Sequence, residues 1–522
     1  MGSQSSKPTN QNNSNNNNNN NNNEKSLVNY SSRARSDAAS TAALLSRLNL
    51  NNQTNNISDS IITLDNFTRW RNSFEADDKA QLASVLLTKL PLGSALIKRS
   101  ALAIDRQVFS HTLTVQPTPV TNQKSSGRCW LFATCNVIRV NVIQKFNLGD
   151  FELSQSYLFF YDALEKANYY LENIIELIEE PLDSRIVAQL SSDFEGDGGQ
   201  WDMVVGLIEK YGIVPKTIYD ESYNSSNSGG IKSIITSQVR TYALELRKLY
   251  DQTLRHSLNV QGKDLVTAEN DALSAVRQAK QSMIAQVYKI LAIALGSPPS
   301  ANSTFKWEYN DVNGKAHSLI TTPLDFYHKH TAGFKASEYI SLINDPRHDY
   351  DQSYTVNRLG NVWGGRKIRY VNTTSENLKA LVIKMIKSDK PVWFGCDVGK
   401  MSSSTYGIMD TNLIDYENGL GVNLTLNKSE RLQIKDSAMT HAMVITAVHL
   451  DSDGKPIRFK VENSWSESAG DHGYFVMTNE WFDEFVYQIV LPKSYVTQKL
   501  RDVYEKSEAT VLPLWDPMGS LA

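Results

Sequence analysis

From Cys129 to Leu148 the chain contains neither proline nor glycine, and apolar residues fall on nearly every side of a helix drawn through it. A helix that is apolar all round has to be buried, so the rest of the fold must cover it from several directions. Gly149 is its expected stop. The first residue of this helix is a cysteine. The free N–H groups and positive dipole end at that position favour a thiolate. A buried helix with a nucleophile at its start is a demanding feature, and the remaining sequence can be searched for partners of such a thiol.

The bulk numbers narrow the possibilities. The 522 residues are far more than one core needs, so one large or two to three modest domains are expected. Apolar residues make up 41% and charged residues 21%, an ordinary globular balance. The net charge of −3 gives no overall field for nucleic acid. Three cysteines, Cys129, Cys135 and Cys396, are too few for a disulfide framework and lack the close pairing of a zinc site. Their scarcity suits a reducing, cytoplasmic location. No apolar run approaches the roughly 20 residues that span a bilayer, and no signal peptide is evident, so no stable membrane insertion is expected. Residues 1–58, with an unbroken asparagine run from Asn15 to Asn23, read as a disordered extension. Its start, Met1 to Lys7, fits the pattern for N-myristoylation at Gly2.

Order is expected from about Leu64, with helices to about Lys98 and a Pro/Thr-rich loop, Thr114 to Asn122, leading to Cys129. A second helix is expected over Phe151 to Glu172, opened by Ser154 or a residue near it. Asp193 to Trp201 is a glycine-dense loop. Ser233 to about Leu295 reads as a helical hairpin broken near Val260 to Asp264, part of a mostly α insertion reaching roughly Ser341. Beyond Arg366 the pattern turns to β, with strand candidates at Val392 to Gly395, Ala442 to His449, Ile457 to Val461 and Gly473 to Met477. The resulting division is 1–58, 59–232, 233–341, 342–508 and 509–522.

The partners for the thiol lie in the β-rich part. Asp451-Ser-Asp-Gly454 is a turn signal, and His441 and Asn463 are equidistant from position 452. An antiparallel hairpin centred there makes them cross-strand neighbours. His441, Met443, Ile445 and Ala447 share one face of it, as do Ile457, Phe459, Val461 and Asn463. The Asn463 amide then fixes the imidazole tautomer, and Trp465 shields that bond from water. Gln123, six residues before Cys129, supplies a side-chain amide that can join the Cys129 N–H as an oxyanion hole. Taken singly, the cysteine reads as a small buried hydrophobe and the histidine as a strand residue; together they read as a thiol catalyst.

These residues resemble the papain-like cysteine peptidases, which place Gln before a Cys-Trp helix start, then His-Ala, then Asn-Ser-Trp. The chain matches in order: Gln123, Cys129-Trp130, His441-Ala442, Asn463-Ser464-Trp465. It is more closely similar to the bleomycin hydrolase family, through Pro119 to Phe132, Glu152 to Gln155, Asp197-Gly-Gly-Gln200, Ser341 to His348 and Leu514 to Gly519. The resemblance implies an α+β, two-lobe papain-like fold, with a central helix plus an antiparallel sheet or barrel lobe. It also implies a ring-building helical insertion, a homohexamer and a C-terminal arm in the cleft. It implies a broad cysteine aminopeptidase acting on peptides, bleomycin-type amides and homocysteine thiolactone, with no metal or organic cofactor. Gly198 and Gly199 become substrate-loop residues, and the Ala522 carboxylate becomes the group that meets a substrate's ammonium. Family members often carry a further terminal residue that the enzyme trims; this chain already stops at Ala522, which leaves self-processing open. Some members bind single-stranded nucleic acid, which would require a local basic lining here. Another thiol acyl transfer, such as transamidation, is the remaining alternative.

Overall fold

The computed structural model describes residues 60–192, 194 and 196–521. The Asn-rich extension with Gly2, and Ala522, lie outside them. The chain divides into two units, Met1–Leu82 and Ala83–Ala522. The first holds the helix Leu64–Glu75, whose cap is Thr63. The elements that follow belong to the second.

The segment from Cys129 is a helix, Cys129–Phe146, and fourteen of its residues are buried. It stops before Gly149. Asn147 takes the left-handed conformation at φ 52°, and the N–H groups of Asn147 and Leu148 both close onto the Ile143 carbonyl. Asparagine tolerates that conformation, so the glycine is not needed for it. The next helix is Gln155–Glu176, opened by Ser154 Oγ accepting from the Tyr157 N–H at 3.0 Å. The long pair Gly229–Asn259 and Leu265–Leu295 forms the expected hairpin, with Asp264 capping the second helix through Thr267. The stretch beyond it is less helical than its composition suggested. Phe305–Asn310 pairs with Ala316–Thr321 as a two-stranded hairpin. Within it Phe305 and Trp307 are buried between exposed Lys306 and Glu308, a period-two pattern. Tyr339–Ile343 is already part of the main sheet.

That sheet runs, in spatial order, Thr510–Leu512, Gln352–Val356, Tyr370–Asn372, Tyr339–Ile343, Val486–Pro492, Val392–Cys396, His441–Leu450, Pro456–Glu462, Tyr474–Thr478, Ile408–Met409 and Ser402–Ser403. His111–Thr112 adds to the side of His441–Leu450. Most pairs are antiparallel; three are parallel, including the C-terminal Thr510–Leu512 on Gln352–Val356. Two large apolar clusters flank the sheet. One surrounds the Cys129–Phe146 helix and includes Ala442 and Val444; the other holds Met443, Ile445, Phe459 and Val461. Alternate residues of one strand thus bind two cores together. This is the mixed α and β, papain-like architecture the motifs implied. Among the described residues no helix is long and apolar enough to cross a membrane.

The hairpin that carries the histidine and asparagine differs in register from the expectation. Val444 pairs with Glu462 and Leu450 with Pro456, so the turn is centred on position 453 rather than 452. The cause is local. Asp451 Oδ1 accepts from the N–H groups of Asp453 (2.9 Å) and Lys455 (2.8 Å), and Gly454 takes φ 79°. Moving the centre by one residue moves the pairing by two. A two-residue slip keeps every side chain on its face, so His441 and Asn463 become diagonal rather than direct neighbours. Register irregularities between Ile445 and Ala447 and between His449 and Leu450 end the expected shared faces: Val448 joins the second core instead of Ala447, and Ile457 is exposed.

Candidate active site

Helix and strand meet at the Cys129 sulfur. Sγ accepts from the Ala442 N–H at 3.5 Å, and Ala442 follows His441 on its strand. Cys129, His441 and Asn463 are all buried. Asn463 Oδ1 accepts from the Ser464 N–H at 2.8 Å, a donor whose identity is fixed. The same oxygen lies 2.9 Å from His441 Nε2. An acceptor faces Nε2, so Nε2 carries the proton and Nδ1 is left as the base. The Trp465 ring covers the imidazole, with centroids 4.8 Å apart, and rests in turn on Phe475.

Gln123 enters from the loop before the helix. Its N–H donates to the Ser464 carbonyl at 2.8 Å, and its Oε1 accepts from Ser464 Oγ at 2.6 Å. Its Nε2 donates to the Ser126 carbonyl at 2.6 Å. A primary amide has two N–H donors, so one remains for an oxyanion. The segment Asn463-Ser464 therefore fixes both the tautomer of the histidine and the orientation of the glutamine. The sequence spacing alone did not show that link.

The glycine loop packs against the start of the helix. Trp130 Nε1 donates to the Asp197 carbonyl at 2.6 Å. Lys166 Nζ donates to the carbonyls of Gly196 (2.6 Å) and Gly198 (2.8 Å) and pairs with Asp162 at 2.6 Å. The Asp197 carboxylate accepts from the Gly127 N–H at 3.0 Å and from Ser228 Oγ. Asp197 opens the Asp197-Gly-Gly-Gln200 motif, whereas Lys166 had only its spacing of four from Asp162 on a helix as a signal. A Cβ on Gly199 would sit 2.5 Å from the Trp130 indole, which is fully buried and cannot yield. Gly199→Ala is therefore expected to destabilise the unit by about 1–3 kcal/mol, read as a lowered denaturation midpoint. A midpoint equal to the parent's would refute the close-packing role.

Gly127 and Gly198 line a cavity of about 580 Å³, as do Trp515 and Leu521 of the C-terminal segment. Cys129 lies beside this space rather than in its wall. Gly198 thus faces the cavity, whereas Gly199 packs on Trp130.

Comparison with known proteins gives this constellation a lineage. A family model described as the peptidase C1-like family matches residues 61–519. The chain belongs to that family. Cysteine proteinase 1, mitochondrial, of Saccharomyces cerevisiae is 39% identical over 469 residues, covering 89% of this chain and 93% of that protein. Human bleomycin hydrolase is 40% identical over 456 residues, covering 86% and 96%. The crystal structure of PepW from Lactobacillus rhamnosis matches at 40% identity and TM-score 0.81, covering 89% of this chain and all of that one. The chain is a cysteine-type peptidase among the homologues of bleomycin hydrolase.

Electrostatics around Cys129 and His441 oppose a lone charge. Burial pushes the Cys129 thiol up to about 11, although the N–H groups of Ala442, Trp130 and Cys129 itself pull it back. Burial holds the His441 imidazole down to about 4 against its hydrogen bond to Asn463. The helix end, worth about 0.3–1 kcal/mol when exposed, does not by itself ionise a sealed thiol. Moving the proton from sulfur to imidazole creates both charges together and avoids either lone ion. The histidine shift has a sign that can be measured. Between pH 6.5 and 4 the unfolded chain takes up a proton that the folded chain refuses. Stability is full above 6.5 and is lost as pH falls, by about 3 kcal/mol from this group. His441→Gln is expected to flatten the dependence of Tm on pH across that window; an unaltered slope would exclude His441 as its source.

Proposed function

We propose that this peptidase is a broad-specificity aminopeptidase working through a Cys129 thioester, with His441 as base and acid and Asn463 orienting it. Cys129 Sγ attacks the carbonyl carbon of the first peptide bond as its proton passes to His441 Nδ1. The oxyanion accepts from the free Gln123 N–H and the Cys129 N–H. The C–N bond then breaks, and His441 gives the proton to the leaving amine. Water, losing a proton to His441, hydrolyses the thioester and releases the first residue. Bleomycin-type amides and homocysteine thiolactone present the same acyl carbon, and the first of these is what the relatives' name denotes.

The observation that carries the aminopeptidase reading is the course of the C-terminal segment, which reaches the cavity at Leu521 beside Gly127 and Gly198. A chain lying there leaves room on that side for only a short stub of substrate. An anion at its end, expected as the Ala522 carboxylate, selects a free ammonium. Hydrolysis of a free-amine aminoacyl reporter and its N-acetylated twin should be compared before and after deletion of the last few residues. Deletion is expected to erase the preference for the free amine; a preserved preference refutes the reading. The homohexamer and the cytoplasmic location belong to the same proposal. The yeast relative's name, mitochondrial, makes cell fractionation the test of location.

A further inference from the structure

The arm runs without regular structure from Leu512 to the turn Pro517–Gly519 and on to Leu521. Leu512 and Met518 are buried in the core, and three hydrogen bonds hold the arm by its backbone. The Asn357 N–H donates to the Leu512 carbonyl at 2.9 Å, Tyr370 Oη to the Met518 carbonyl at 3.2 Å, and Gln200 Nε2 to the Ser520 carbonyl at 2.5 Å. Every residue carries a carbonyl, so these bonds do not themselves name the residue that makes them; at the root of the arm the register is held by the pairing of Thr510–Leu512 with Gln352–Val356, and beyond Leu512 that ladder ends. Arg185, over the Trp515 ring at 3.8 Å, recognises a side chain but not with a directed bond.

Asp516 is different. Its Oδ1 accepts from Arg347 Nη2 at 2.8 Å and its Oδ2 from Nη1 at 3.3 Å. Arg347 is aimed by the body of the protein. Its Nε and Nη2 also donate to Asp345, at 3.0 and 2.7 Å, and Asp345 is fully buried. Asn372 grips the Asp345 backbone from both sides, accepting from its N–H and donating to its carbonyl, each at 2.9 Å. The guanidinium fork thus presents one fixed, directional receptor to the arm. Asp516 Oδ1 also accepts from the Met518 N–H at 2.8 Å, which turns the chain toward Leu521. A slip by one residue would set Trp515 or Pro517 against the fork, and neither offers a carboxylate.

We propose that the Arg347–Asp516 ion pair is a positioning device that fixes the register of the arm, and so the depth to which a substrate's amino terminus can enter. Neither residue touches the reacting atoms; each acts through the tip of the arm. The inference rests on the aminopeptidase reading above. It assigns substrate length selection to a charge pair outside the catalytic group.

Asp516→Asn tests it. Asparagine keeps the acceptor for Met518 and leaves Arg347 on Asp345, so folding is preserved, which Tm confirms. The ratio of kcat/KM for the free-amine reporter over its acetylated twin is expected to fall at least about tenfold. The loss should lie in KM for the free-amine substrate more than in kcat, which a general loss of structure would not produce. Asp516→Glu, which retains the carboxylate, is expected to recover most of the ratio. If Asp516→Asn keeps the ratio while deletion of the tail erases it, the ion pair does not set register and the inference fails alone. If Asp516→Glu is as impaired as Asp516→Asn, the charge is irrelevant and the inference also fails. If deletion itself leaves the ratio intact, the aminopeptidase reading has failed beneath it.

Discussion

Replacing Cys129 with alanine is expected to lower kcat on a peptide reporter by roughly 10⁴ to 10⁶-fold, and His441→Ala by a comparable factor. The double variant should be scarcely worse than either single one. On the proposed mechanism nucleophile and base act as a unit: a thiol without the base cannot shed its proton in a site where burial pushes it up to about 11, and a base without the thiol has nothing to activate. Asn463→Ala should cost less, because it removes the orientation of the ring and leaves both reacting atoms. The check is a set of progress curves on the purified variants, with iodoacetamide labelling of Cys129 as a separate readout. Labelling at neutral pH should slow in His441→Ala, whose thiol has lost its proton acceptor. A double variant whose loss equals the product of the two single losses would mean that the residues act independently, and the thiol–imidazole unit would be abandoned.

How far the sequence disclosed this site depended on the range of the interaction that decides each feature. The start of the helix at Cys129 and the cap at Ser154 are local events, written in a few adjacent residues; the first is where the pattern put it, and the second helix, expected over Phe151 to Glu172, runs Gln155–Glu176 from that cap. The four strand candidates also stand, with ends shifted by a residue or so. The register of the His441 hairpin was legible only in parity. The alternation of apolar residues fixes which face each side chain takes, but the Asp451 turn and two irregularities fix the alignment, and those depend on side-chain to backbone bonds inside the turn. The strand Tyr339–Ile343 was hidden because its residues are buried almost throughout, which removes the period-two signal. The supports of the site were least visible. Asp162 and Lys166 are spaced to pair, yet nothing in the chain says that the pair faces the carbonyls of a loop thirty residues on. Arg347 and Asp516 belong to segments quoted for their family likeness, but their contact joins positions 169 residues apart.

A buried ion pair behind the site should cost the fold heavily when it is broken. Arg139 lies on the helix that Cys129 begins, and Glu462 is the residue before Asn463. Arg139 Nη2 donates to Glu462 Oε1 at 2.5 Å, and both side chains are buried. Arg139 Nη1 donates to the carbonyls of Pro119 and Phe151, so the guanidinium also ties together the segments before and after the helix. Removing one partner strands the other charge out of water. Arg139→Met and Glu462→Leu are each expected to destabilise the unit by about 3–5 kcal/mol, while the double variant, which buries no lone charge, should cost much less than their sum. Denaturation midpoints of the four proteins measure this directly. Single variants within about 1 kcal/mol of the parent would show that water reaches the pair and that it contributes little. Activity adds a second, independent reading. Asn463 follows Glu462 without a break, so a strand loosened at 462 should lower kcat in Glu462→Leu even at temperatures where the fold persists. A double variant that regains stability but not turnover would separate the two consequences: the fold needs only that no charge be left alone, whereas the histidine needs its asparagine held in place.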